Sequence, residues 1–222
     1  MRYAFAHRGG RAHGPDNNLA TFAEALARGA RALETDAWVT ADGVVVLDHD
    51  GLHRAGTPDE VAITAVRRAE LAAHIPTLAE LYAQCGTDFD LAIDVKGEGG
   101  ADAICQVARE HDAEERLWLF TPSSTRPGEI KPAHAGVTVR ARQLRDRGAR
   151  QVLLRQLRDD GVEVINSRWP YWRRSAVADV HALGLLAFAW DVQWSIAVGH
   201  ARRIGIDGIF SDHVGLLEGA LR

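Results

Sequence analysis

The sequence predicts a closed, parallel (β/α)8 barrel with an extra β-hairpin strand near its C-terminal mouth. Three observations predict it. Short apolar runs alternate with amphipathic stretches along the chain, which implies a parallel sheet with right-handed crossovers. The chain has 222 residues, 46% of them hydrophobic, which suits one large core and a single α/β barrel. Its chemically useful side chains fall where predicted strands end, the place where such barrels collect them. A doubly wound open sheet is the alternative, but no Gly-rich phosphate loop follows a strand.

The elements follow in order. Tyr3 to Ala6 is a buried first strand that delivers His7 and Arg8 at its C-terminal end. A polar loop through Pro15-Asp16-Asn17-Asn18 leads into a helix from Leu19 to Arg28, with Leu19, Phe22, Ala23, Leu26 and Ala27 on one face and Gly29 closing it. Next comes the stretch from Ala32 to Asp50. Glu34 and Asp36 are two residues apart, so on a strand they share a face. Ala41-Asp42-Gly43 signals a tight turn, and Val44 to Leu47 returns towards the pair, bringing Asp48-His49-Asp50 with it.

Leu52 to Ile63 reads as irregular, and Val66 to His74 as a short helix. Thr77-Leu78-Ala79-Glu80 is a capping box that opens another helix with Leu78, Leu81 and Tyr82 facing in. Leu91 to Lys96 is a strand with Asp94 and Lys96 on one face at its end. Ala101 to His111 is helical, and Leu117 to Phe120 is a strand entering a polar, Pro-rich loop from Thr121 to Pro132. The remaining expected strands are Gly136 to Arg140, Val162 to Ile165 (ending at Asn166), Leu185 to Trp190 and Ile206 to Phe210. Helices are expected over Ala141 to Asp159, Trp172 to Leu183 and Trp194 to Ile204, with a short amphipathic tail.

Composition narrows the function. The net charge of −4 and the lack of a long basic run speak against a nucleic-acid partner. The Arg-rich stretch from Arg140 to Arg158 is interrupted by acids and reads as a solvated helix face. Cys85 and Cys105 fit no disulfide or zinc spacing and read as reduced core thiols. The chain starts a strand almost at once, and no apolar run reaches membrane length. A cytoplasmic protein without stable membrane insertion is therefore expected. The oligomeric state is not legible.

Glu34, Asp36 and Asp94 can supply three carboxylates to one cation, and hard oxygen donors favour Mg²⁺ or Ca²⁺ over zinc. The plainer alternative makes each acid a cap or a surface partner. His7 and His49 are the acid/base candidates, because each ends a strand beside charged groups and only histidine titrates near neutrality unaided. The other histidines singled out (His13, His53, His74, His111, His134, His181 and His200) read as loop or helix residues. Arg8 and Lys96 are cations for an anionic substrate, or else neutralise the acids. Trp190 lines a pocket or packs in the core. One divalent cation, two histidines and two cations suit displacement at phosphorus.

These motifs resemble the glycerophosphodiester phosphodiesterase family. Its H-R-G is His7-Arg8-Gly9, its P-E-N-T is Pro15-Asp16-Asn17-Asn18, and its E-x-D is Glu34-Thr35-Asp36. Its T-x-D-G and H-D are Thr40 to Gly43 and His49-Asp50; its I-P-T-L-x-E is Ile75 to Glu80. Its E-x-K is Asp94-Val95-Lys96, and its W-T-V and closing G-V-D-G-I-x-T-D resemble Trp190 to Val192 and Gly205 to Asp212. Thr121 to Ala149 shows no match. The resemblance implies a TIM-barrel fold in a single domain over residues 1–222, with a short family-type insertion at about residues 51–76. It implies hydrolysis of small glycerophosphodiesters to an alcohol and sn-glycerol 3-phosphate. Glu34, Asp36 and Asp94 would hold one divalent metal ion. His7 and His49 would be the acid/base pair, Arg8 and Lys96 would bind phosphate, and Asn17 and Trp190 would shape the site.

Three departures from the family pattern matter. Asp94 stands where a longer Glu is usual, and Asp16 where a Glu supports the first loop. The segment between His49 and Asp94 is short, which predicts an open mouth and leaves room for a substrate preference different from glycerophosphocholine or glycerophosphoethanolamine. Two alternatives follow: lysophospholipase D-like activity on larger lipids, and a catalytically inactive binding barrel. A third is a metal-dependent barrel acting on a carbon acid with Lys96 as base, which leaves His7-Arg8 unexplained.

Overall fold

The computed structural model describes residues 1–97, 99–122 and 132–221. In chain order the elements are β1 (Tyr3–Ala6), α1 (Leu19–Ala27), β2 (Ala32–Val39), β3 (Val45–Leu47), β4 (Leu52–His53), β5 (Val61–Ala62), α2 (Leu78–Cys85), β6 (Asp90–Val95) and α3 (Gly100–Glu110). They continue as β7 (Leu117–Pro122), β8 (His134–Thr138), α4 (Ala141–Arg145), α5 (Arg147–Asp159), β9 (Val164–Arg168), α6 (Arg174–His181), β10 (Leu186–Trp190), α7 (Ser195–Ile204), β11 (Gly208–Ser211) and α8 (Val214–Leu221).

Strand order around the sheet is β1-β11-β10-β9-β8-β7-β6-β2, and β1 also pairs with β2, so eight parallel strands among the described residues close into the predicted barrel. β3 pairs antiparallel outside β2, with Ala37 opposite Leu47 and Val39 opposite Val45. That is the expected extra hairpin strand.

Register and alternation decide what fills the barrel. Phe5 lies opposite Phe210, Asp36 opposite Asp94, and Thr138 opposite Asn166. Inward positions repeat every second residue, so residues near the strand starts form an apolar plug and those near the ends form the mouth. The plug is aromatic: Phe5, Trp118, Phe120, Phe188 and Phe210 pack with Ala32, Ala92 and Val164. Small residues make room for it. A Cβ on Gly136 would stand 2.4 Å from the Phe120 ring, and one on Gly208 would stand 2.7 Å from Phe188. The second, larger core lies between the barrel and its helices, with Leu33, Leu81, Ile93, Leu119 and Ile165 among its members.

Some expectations differ from the structure. Val66 to His74 is no helix; it holds only a 3-10 turn at Arg68–Glu70. Its apolar residues, with Ile75, instead cover the hairpin: Leu71 and Ile75 pack on Val46 and Ile63. Leu52 to Ile63, expected to be irregular, contains the small β4–β5 ladder. The helix expected over Ala141 to Asp159 breaks at Asp146, whose extended backbone and side chain cap α5 by accepting from Ala149 N at 2.7 Å. The Arg-rich face is not wholly solvated, since Arg150 is buried and forks onto Asp179. Trp172 precedes α6 rather than beginning it and donates from Nε1 to Phe188 O at 2.9 Å. Most of the Thr121–Pro132 loop lies outside the described residues.

No helix among the described residues is long and apolar enough to cross a membrane.

Candidate active site

The C-terminal mouth holds a cavity of about 200 Å³. His7, Arg8, Glu34, Asp36, His49, Asp94, Lys96 and Trp190, eight of the nine residues singled out from the sequence, line it. The ninth, Asn17, stands behind Asp36: its Nδ2 donates to Asp36 Oδ2 at 3.3 Å, and its Oδ1 accepts from Thr35 Oγ1 at 2.8 Å. A second cavity of about 370 Å³ shares Arg8 and His49 with the first and is bordered by Asn17, Asp48, Asp50 and His74.

The first turn after β1 aims two groups at once. Arg8 takes a left-handed backbone, φ 50°, as does Asn17 at 51°. Such conformations are costly for residues with a Cβ and persist where surrounding bonds enforce them. Here Arg8 N donates to Glu34 Oε2 at 2.9 Å and Asn17 N donates to Arg8 O at 3.2 Å. Arg8 Nη1 meets Asp16 Oδ2 at 3.0 Å, so the shorter Asp16 still supports the loop. Arg8 Nε lies 3.2 Å from Asp36 Oδ2 but outside hydrogen-bonding geometry, leaving that buried donor unsatisfied.

His7 is held from behind. Its Nδ1 lies 2.6 Å from Asp212 Oδ1, and its Nε2 lies 3.8 Å from Glu34 Oε2. Burial works to lower the His7 pKa, but the Glu34 charge and the bond and charge of Asp212 outweigh it, so the net direction is up. Asp212 is itself fixed by Gln193, whose Oε1 accepts from Asp212 N at 2.9 Å. The sequence signal for Asp212 is its place as the last residue of the closing G-V-D-G-I-x-T-D motif, just beyond β11, where the sequence assigns it no role; Gln193 carries no such signal. Phe120, Thr138 and Phe210 also line the cavity, as does Asn166, a polar residue at an expected strand end to which the sequence assigns no role.

The hairpin brings His49 in as expected. Asp48 N donates to Asp36 O at 3.1 Å, and His49 Nδ1 lies 2.7 Å from Asp50 Oδ1. The imidazole faces both cavities and is more exposed than that of His7.

The acids carry strain of their own. Burial pushes the Glu34 pKa up to about 7; the His7 charge opposes this, while Asp36 and Asp94 add to it. Asp94 is raised as well, by burial first, against the pull of Lys96. Lys96 Nζ sits 2.5 Å from Asp94 Oδ2 and 3.1 Å from Asp36 Oδ1, a positive charge between the two carboxylates. No three His, Cys, Asp or Glu side chains among the described residues already converge as a coordination set. In chemistry the donors nevertheless fit a hard divalent cation: three carboxylates at neighbouring strand ends, of which Glu34 lacks a neutralising ion pair within the cavity unless His7 is protonated. Lys96 would have to share Asp36 and Asp94 with that cation.

Comparison with known proteins agrees with this geometry. Residues 7–216 match the Glycerophosphoryl diester phosphodiesterase family. The chain is 29% identical to a Mycobacterium tuberculosis protein designated Probable glycerophosphodiester phosphodiesterase 2, over 99% of this chain and 90% of that one. The glycerophosphodiester phosphodiesterase of Thermotoga maritima superposes with a TM-score of 0.84 at 22% identity, covering 100% of this chain and 99% of that chain. An Oleispira antarctica phosphodiesterase in complex with its product sn-glycerol-3-phosphate gives 0.80 at 20% identity, covering 100% and 97%.

Proposed function

The chain belongs to the glycerophosphoryl diester phosphodiesterase family and is a phosphoric diester hydrolase, and from that premise we propose that it hydrolyses small glycerophosphodiesters to an alcohol and sn-glycerol 3-phosphate with the help of one divalent cation, Mg²⁺ or Ca²⁺. The observation that carries this reading is the single cavity in which His7, His49, Arg8, Lys96 and three acids meet. The product complex of the Oleispira protein supports the same choice of product.

The residues divide the work as follows. Glu34, Asp36 and Asp94 would hold the cation, which when bound supplies Lewis-acid stabilisation of charge on the phosphate oxygens. Arg8 offers Nε, a buried donor beside the Asp36 carboxylate but without a hydrogen bond, to a non-bridging phosphate oxygen. Lys96 places a second positive charge beside it. Asp212 holds His7 through Nδ1, which leaves Nε2 facing the cavity. One histidine takes a proton from the attacking water as the new P–O bond forms. The other gives a proton to the departing alcohol oxygen as the old P–O bond breaks. Asn17 fixes the Asp36 carboxylate, and Trp190 forms part of the rim.

Released glycerol phosphate from glycerophosphocholine, glycerophosphoethanolamine and a lysophospholipid, measured with Mg²⁺, with Ca²⁺ and with chelator, tests this reading. Turnover that needs a divalent cation and disappears in Glu34→Gln supports it. Undiminished turnover in chelator would remove the cation from the scheme. A second reading, action on larger lipids, draws on Trp194 and Ile196, which are exposed in the loop and first turn after Trp190. A preference for the lysophospholipid would favour it.

A further inference from the structure

Four buried side-chain atoms among the described residues lack a hydrogen-bond partner, and two belong to residues lining the first cavity: Arg8 Nε and Asn166 Oδ1. The two are of opposite kind. Arg8 presents a charged donor in the sector of β1, β2 and β6. Asn166 carries a neutral acceptor in the middle of β9, three strands beyond β6 in the ring. Its carboxamide is 7% exposed as a residue and tethered, with Nδ2 donating to Thr138 Oγ1 at 3.3 Å. Leaving a buried acceptor unpaired costs folding free energy, so a ligand that supplies the missing donor recovers it on binding.

The ligand that satisfies both atoms carries an anion and, apart from it, a neutral hydrogen-bond donor such as a hydroxyl. Among the described residues no acid lines the cavity on β7, β8 or β9, so none of them calls for a cationic group. A hydroxylated phosphate ester fits. The other arm of the diester has its own way out, because the two cavities share Arg8 and His49.

We infer that Asn166, held by Thr138, is a specificity-determining residue that accepts a hydrogen bond from a hydroxyl on the substrate arm inside the barrel mouth; this rests on the phosphodiesterase reading above. It selects polyol phosphate esters over alkyl esters of the same length. A site built to bond a hydroxyl rejects the analogue lacking it, since its own polar group is then left unpaired.

The test compares glycerophosphocholine with n-propyl phosphocholine, which lacks both glycerol hydroxyls, in the wild type and in Asn166→Leu. The wild type favours the hydroxylated substrate in kcat/KM. Asn166→Leu lowers that ratio about tenfold or more, through loss on the glycerol ester alone. An unchanged ratio would overturn the inference. Calorimetric binding of sn-glycerol 3-phosphate against n-propyl phosphate reads the same preference without turnover. If the wild type hydrolyses neither diester, the phosphodiesterase reading falls, and this binding comparison still decides the role of Asn166. If Asn166→Leu does not fold, Thr138→Val frees the carboxamide and lowers the same ratio; no change there would equally overturn the assignment.

Discussion

The two halves of the barrel mouth occupy equivalent positions on equivalent strands and carry opposite chemistry. β1, β2 and β6 end in His7, Arg8, Glu34, Asp36, Asp94 and Lys96. β7 to β11 present Phe120, Thr138, Asn166, Trp190 and Phe210. The displaced titration of Glu34, Asp94, His7 and Lys96 belongs to the first half. Closely spaced charges in a buried setting raise the cost of the ligand-free protein, and they are arranged for charge that appears during reaction. The neutral half shares an apolar floor with the barrel plug and has contacts with which to fix a substrate arm. On the proposed roles, chemistry and recognition are separated around one ring, and each half should fail in its own way when altered.

The largest effect is expected in the charged half. His7→Ala should lower kcat by about a thousandfold with little change in thermal stability, the usual scale for a positioned acid or base. Asp212→Asn should fall between His7→Ala and the wild type, because it leaves the imidazole present but unheld. Removing divalent cations from the wild type should abolish turnover to a similar degree, and adding Mg²⁺ or Ca²⁺ back should restore it. Steady-state rates on one diester measure all three. Equal rates for His7→Ala and wild type would dissolve the distinction between the halves.

The floor beneath the neutral half should respond in stability first. Phe188 is fully buried, with its ring 5.8 Å from Phe5 and 6.2 Å from Phe120 between centroids. Phe188→Ala should destabilise the fold by about 3 kcal/mol, read as a drop of roughly 6–12 °C in Tm. Gly136→Val meets the Phe120 ring and should cost about 2 kcal/mol by overpacking. If either variant left Tm unchanged, the plug would not be close-packed as described.

The two halves were unequally legible in the sequence. Strand ends of β1, β2 and β6 announced themselves because charged residues interrupt apolar runs, and period two put Glu34 with Asp36 and Asp94 with Lys96. Asp212 closes a motif in the sequence, but its role depends on contact with His7, 205 positions away, which no local pattern encodes. Thr138 and Asn166 were hard to weigh because neutral polar residues at strand ends are common; only the register that sets them side by side gives them a shared task. The parallel barrel and hairpin followed from alternation and turn chemistry. The apolar spacing of Val66 to His74 suits a helix, whereas tertiary contact with Val46 and Ile63 decides its path. Arg150 resembles its exposed neighbours in sequence, and only the partner Asp179 on α6 explains its burial.

The smallest expected effect joins stability to the charged half. Two kinds of carboxylate respond to pH in opposite senses. The hydrogen bond from Arg150 holds Asp179 below the ordinary range. Its stabilisation is present above the unfolded aspartate value and is lost as pH falls through the folded one. Glu34 is displaced the other way, up to about 7, chiefly by burial. The folded state then binds more protons than the unfolded state between the ordinary glutamate value and about 7, so stability falls as pH rises through that window. His7, also raised, extends the loss, since its contribution is present below the ordinary histidine value and disappears as pH passes the folded one. In chelator, the wild type should lose on the order of 2 kcal/mol between about pH 5 and pH 8. Glu34→Gln keeps an oxygen for the Arg8 amide and carries no charge, so its Tm should fall clearly less across the same range, with Asp94 and His7 still titrating. Divalent cation should raise the wild type at the upper end and leave the variant unmoved. Parallel pH curves for the two proteins would mean that the ionised Glu34 is not a burden on the fold, and that the charged half is paired well enough to stand without a cation.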